Sequence, residues 1–100
     1  MESKFNVSFT ERAVRDIDEI SSYISGRRSE KIKMNFLLSL TDVLLLLEET
    51  PFMFKNSLKK RGVREAIINK NYVLFYQITA PKVEILTIKS TKQNSKKLKF

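Results

Sequence analysis

The second half of the chain gathers the side chains that could hold a negative charge. Lys59, Lys60 and Arg61 are consecutive, Arg64 follows, and Lys89, Lys92, Lys96 and Lys97 lie further on. Residues 51–100 carry a net charge of +10, offset only by Glu65 and Glu84, against −2 for residues 1–50. A field of that sign attracts phosphate backbones or an acidic protein and speeds their encounter. There is no histidine and no cysteine. That excludes Ser-His and Cys-His nucleophiles, disulfides and zinc-thiolate sites, so any acid–base step would rest on Lys, Tyr, Glu or Asp. Two carboxylates in the basic half are too few for an oxygen-ligand metal site, and neither a metal nor a small-molecule cofactor is expected.

The elements that must position these residues follow from periodicity. Val63–Ile68 and Tyr72–Ile78 alternate, are rich in β-branched and aromatic residues, and are split by Asn69-Lys70-Asn71, a hairpin signature. A turn at Thr79-Ala80-Pro81-Lys82, with Pro81 expected at its first central position, leads into a third strand, Val83–Ile88. Ahead of this meander, Phe5, Val7 and Phe9 alternate as in a short strand buried on one face. Ser8 and Glu11 stand in capping-box spacing before a helix whose stripe is Ala13, Ile17, Ile20 and Ile24 and which Gly26 is expected to end. A second helix starts near Ser29, keeps Ile32, Phe36, Leu40, Val43 and Leu47 on one face, and stops at Pro51. Leu45 and Leu46 overshoot that face; they either pack beneath the loop through Phe52, Met53 and Phe54 or form a partner surface.

One hundred residues make one domain, and the longest apolar run, Val43–Leu47, is far too short to span a membrane. No signal peptide is visible and cysteine is lacking, so a cytoplasmic protein is expected. The predicted fold is α+β: an N-terminal strand, a two-helix hairpin and a three-stranded antiparallel meander, with the helices on one face of a four-stranded sheet.

This order, with three motifs, resembles the RelE/ParE superfamily of type II toxin–antitoxin toxins. The motifs are Phe9–Ile20 followed by Tyr23-Ile24, Gly62-Val63-Arg64-Glu65, and Asn71–Tyr76, with Val83–Lys92 as the final strand and its basic follower. The resemblance implies a toxin, of the kind tied to plasmid stabilization, silenced by a cognate acidic antitoxin, with Leu45 and Leu46 as antitoxin-binding candidates. It implies one of two targets. RelE-like members cut mRNA on the ribosome, which would cast Arg64, Lys60, Tyr76 and Lys92 as catalytic residues, with Arg64 holding the phosphate in bidentate fashion. ParE-like members inhibit DNA gyrase without nuclease chemistry, and the cations Lys59, Lys60, Arg61, Arg64, Lys89, Lys92, Lys96 and Lys97 would then bind a partner or nucleic acid. Val73 stands where nuclease members carry an arginine, Gln93 follows Lys92, and no tyrosine comes after Tyr76. These features are closer to the ParE branch; the alternatives are the ribosome-dependent nuclease and a non-toxic basic interaction domain.

Hairpin register bears on that choice. A two-residue loop at Lys70-Asn71 pairs Glu65 with Tyr76 and puts Arg64 on the opposite face from Tyr76, whereas a longer loop or a bulge changes the pairing. Without a chemical role, Tyr72 and Tyr76 would be sheet-packing aromatics with solvated hydroxyls, and Arg64 would pair with Glu84 or a helix carboxylate.

Overall fold

The computed structural model describes residues 4–27, 29–58 and 60–91, apart from the Arg27 side chain. Strand β1 (Asn6–Phe9) leads into helices α1 (Glu11–Arg27) and α2 (Glu30–Glu49), then a 3-10 turn at Pro51–Met53, then strands β2 (Arg64–Asn69), β3 (Tyr72–Thr79) and β4 (Lys82–Ser90). The sheet order is β1-β4-β3-β2, with β1 parallel to β4 and the other two pairings antiparallel. Both helices cover one face, giving the expected α+β architecture. No helix among the described residues is long and apolar enough to cross a membrane.

The core sits between that face and the helices. Ala13 and Ile24 of α1 and Phe36, Leu40, Val43 and Leu47 of α2 meet Ala66, Ile68, Leu74, Tyr76, Val83, Ile85 and Ile88. The predicted stripe on α2 is the buried one, except that Ile32 is 40% exposed. Phe5 and Val7 only flank the core and Phe9 is 37% exposed, so the face of β1 expected to be buried is only partly covered.

Helix boundaries differ from the expected ones for local reasons. Ser8 is held in the ladder opposite Glu84, so it cannot cap α1. Thr10 does so instead, its hydroxyl accepting from the Ala13 N–H at 3.0 Å and donating to the Leu86 carbonyl at 2.9 Å. Gly26 lies within α1 and does not end it. The second helix starts next to Ser29, as expected, and Ser29 caps it, accepting from the Ile32 N–H at 3.2 Å. Beyond the end of β1, α1 takes over the free edge of β4: Asp16 accepts the Ile88 N–H at 3.1 Å and the Thr87 hydroxyl. In the β3–β4 turn Pro81 is at the second central position, after a cis peptide bond.

The β2–β3 hairpin contains a bulge that decides the register. Asn69 pairs with Tyr72, but Ile68 then has no partner, and the ladder resumes as Ile67–Val73, Ala66–Leu74, Glu65–Phe75 and Arg64–Tyr76. The turn itself is closed by Asn69, whose side-chain oxygen accepts from the N–H groups of Asn71 and Tyr72 at 2.7 and 3.1 Å. Without the bulge, Glu65 and Ile67 would share the helix-covered face with Tyr76 and Leu74. Burying that carboxylate would be costly. The extra residue puts Ala66 and Ile68 inward and turns Glu65 outward, where Lys55 reaches it at 3.9 Å.

Candidate functional site

At the start of β2 the chain folds back along its own edge. The Glu65 N–H donates to the Lys55 carbonyl at 3.0 Å and the Ser57 N–H to the Val63 carbonyl at 2.7 Å, so residues 54–57 run beside β2, and Leu58 and residues 60–62 lie at a tip beyond them. Gly62 closes that tip with a φ of 82°, a left-handed value that other residues rarely adopt. The tip presents Lys60 and Arg61, both exposed, and Leu58, which is 95% exposed.

Arg64 stands at the base of this tip. Its Nη1 donates to the Phe54 carbonyl at 2.6 Å and, longer, to the Phe52 carbonyl at 3.4 Å, and its guanidinium carbon lies 5.4 Å from the centre of the Phe52 ring. The expected pairing with Glu84 is not found: Glu84 accepts instead from Gln77 at 3.0 Å, and among the described residues no carboxylate forms an ion pair with Arg64. The acceptors of Arg64 are neutral carbonyls. Its charge is held in place and, among the described residues, left without a counter-charge, at a half-buried position next to solvent.

Directly across the ladder, Tyr76 is fully buried. Its hydroxyl donates to the Pro51 carbonyl at 2.6 Å and its ring meets Phe54 edge-on at 6.2 Å, so the expected solvated hydroxyl is replaced by an internal hydrogen bond. Burial pushes the phenol up to about 12, partly opposed by the Arg64 charge. Tyr76 is therefore held protonated, with its hydroxyl proton on the Pro51 carbonyl. Tyr72, at the other end of β3, packs edge-on against Phe36 at 5.1 Å beside a cleft of ≈ 190 Å³ between the helix hairpin and the β2–β3 turn.

The remaining candidates separate. The bulge brings Arg64 and Tyr76 together, against the simplest register, and Lys60 and Arg61 lie on the adjoining tip. Lys89 pairs with Val73 and so points from the face opposite the helices, at the far end of β3. Glu65 and Glu84 share that outer face, which is thus not uniformly cationic. Lys59, Lys92, Lys96 and Lys97 lie outside the described residues. Leu45 and Leu46 do not tuck beneath the loop: they are 56% and 43% exposed, and Phe52 and Met53 are exposed as well. Sequence reasoning missed the carbonyl cradle of Phe52 and Phe54 and the Pro51 acceptor. The apolar run Phe52-Met53-Phe54 marks an anchored loop but does not announce which side chain its carbonyls hold.

The family described as the ParE toxin of the type II toxin–antitoxin system parDE matches residues 7–95. The chain belongs to that family. It is a type II toxin of the RelE/ParE superfamily, and solved structures share its fold. The chromosomal ParDE system of P. aeruginosa superposes with a TM-score of 0.76 at 13% identity, covering 88% of the toxin and 97% of that chain. The RelBE2 toxin–antitoxin complex of Mycobacterium tuberculosis gives 0.59 at 21% identity, covering 93% and 98%. The YoeB–YefM complex of Staphylococcus aureus gives 0.59 at 15% identity, covering 85% and 94%. No curated protein matches the sequence.

Proposed function

We propose that this toxin acts in the ParE manner, arresting growth by binding an essential gyrase-type target through the Arg64 end of the sheet, and that a cognate antitoxin with an acidic segment neutralises it. The observation that carries this reading is the state of the two residues at the site. Arg64 offers a fixed charge with no counter-charge among the described residues, while Tyr76, its cross-strand partner, has its proton engaged by Pro51 and is raised to about 12. Such a pair can recognise an anion but is poorly suited to shuttle a proton at neutral pH. The exposed cations Lys60 and Arg61 extend the same surface, and the +10 half of the chain complements an acidic partner. A cognate antitoxin as partner is supported by the toxin–antitoxin complexes among the similar structures.

The RelE-like reading has one specific point in its favour, the direct pairing of Arg64 with Tyr76 that a nuclease site would need. Induced expression separates the two. The proposal expects inhibited supercoiling and a DNA-damage response with mRNA ends unchanged; new mRNA ends at ribosome-bound positions within minutes of induction would replace it with the nuclease reading.

A further inference from the structure

We infer that the outer face of α2 is a self-complementary seam on which a second copy of this chain docks antiparallel. The side of α2 opposite its core stripe is not polar. Met34, Leu38 and Leu45 are 53%, 57% and 56% exposed, with Thr41 exposed among them. With Lys31 before and Glu48 after, these six residues are spaced three, four, three, four and three apart. That is the two-per-heptad seam of a helix meant to lie along another helix. A solvated helix face would carry charges there instead.

The order of residues along the seam selects the occupant. It has a cation at one end, an anion at the other and apolar residues between. Laid against itself head to tail, it sets Lys31 against Glu48 of the second copy, Met34 against Leu45, and Leu38 against Thr41, and a two-fold axis repeats each contact. A parallel copy would instead set Lys31 against Lys31 and Glu48 against Glu48. Neither Lys31 nor Glu48 takes part in an ion pair among the described residues. Of the carboxylates flanking the seam, Glu30 faces Lys33 at 3.3 Å and Glu49 faces Lys4 at 3.7 Å, while Asp42, exposed beside Thr41, has no ion pair among the described residues. Thr41, the polar residue at the centre, donates its hydroxyl to the Leu37 carbonyl of its own helix at 2.9 Å. Its burial therefore strands no polar atom.

A single helix pair is a small interface, so association in the micromolar range is expected. Sedimentation equilibrium of the full chain should show a mass rising with concentration toward twice the monomer's. Lys31→Glu and Glu48→Lys should each weaken the dimer roughly tenfold, about 1.4 kcal/mol, and the two together should restore it, because each copy then supplies both new partners. Since the chain has no cysteine, a crosslink reports orientation cleanly. A chain carrying both Met34→Cys and Leu45→Cys should form a disulfide-linked dimer on oxidation, and Met34→Cys alone should not. Circular dichroism checks that these exposed substitutions leave the fold intact. A mass independent of concentration, a dimer indifferent to both charge reversals, or efficient linking by Met34→Cys alone would overturn the inference.

Discussion

At the scale of single residues, the site rests on two side chains, Arg64 and Tyr76, that would be catalytic only in a RelE-like toxin and that the fold treats differently. Tyr76 is a closed hydrogen-bonding unit. Tyr76→Phe leaves the Pro51 carbonyl buried without a donor, so thermal unfolding should show a loss of ~1–3 kcal/mol, while growth arrest by the variant should persist. The raised phenol fixes the sign of the pH dependence. A proton is held in the folded state up to about 12, against the ordinary phenol value of 10.0. The folded state therefore binds more protons in that interval, and the stability due to Tyr76 is complete below pH ~10 and is lost as pH rises through ~12. Denaturation followed across that alkaline range should show this slope in the native chain and a shallower one in Tyr76→Phe. For Arg64, Arg64→Ala should abolish growth arrest; because the cradle at Phe52 and Phe54 also loses its donor, a stability loss of ~1.5–3 kcal/mol should accompany it. An Arg64→Ala protein that is as toxic as the native one, measured at equal abundance, would remove this residue from the binding surface.

At the scale of elements, each contact asks whether the chain's local choices agree with the sheet. The Thr10 hydroxyl serves two partners, one in α1 and one on β4. Thr10→Ala should thus cost at least the ~0.5–2 kcal/mol of a lost helix cap, read as a lower midpoint in urea. Neighbouring leucines of α2 should respond oppositely: Leu47→Ala, at a fully buried position, should cost ~2–5 kcal/mol, whereas Leu46→Ala at the surface should stay within ~0.5 kcal/mol. Much of this was legible in the sequence. The core stripes of both helices apart from Ile32, the start of α2 near Ser29, the Pro51 stop and the three-strand meander appear where periodicity and turn residues put them. What was not legible depends on non-local competition. The spacing of Ser8 and Glu11 satisfies a capping box, yet pairing with β4 claims Ser8 for the ladder. Lys70-Asn71 satisfies a two-residue loop, yet burial of Ala66 and Ile68 in place of Glu65 and Ile67 selects a bulge. No local pattern announces that residues 54–57 run back along β2, so the neutral acceptors of Arg64 could not be read in advance.

At the scale of the whole molecule, the helices shield one side of the sheet and leave charge at one end of it. Among the described residues the cations do not form a single ribbon face. Arg64, Lys60 and Arg61 adjoin at the start of β2, while Lys89 sits with Glu65 and Glu84 on the outer face. A target that docks at the Arg64 end and an antitoxin drawn by the same charge would compete, which gives a neutralising partner a direct physical means of action. The central claim is that this end of the toxin binds its target and does no covalent chemistry. The most direct measurement places the purified toxin in two reactions side by side, supercoiling by DNA gyrase and translation on ribosomes programmed with a defined mRNA. The account predicts that supercoiling stops while the mRNA stays intact, with Tyr76→Phe as inhibitory as the native chain and Arg64→Ala inert. Cleavage of the mRNA with supercoiling unaffected, lost together in Arg64→Ala and Tyr76→Phe, would contradict it.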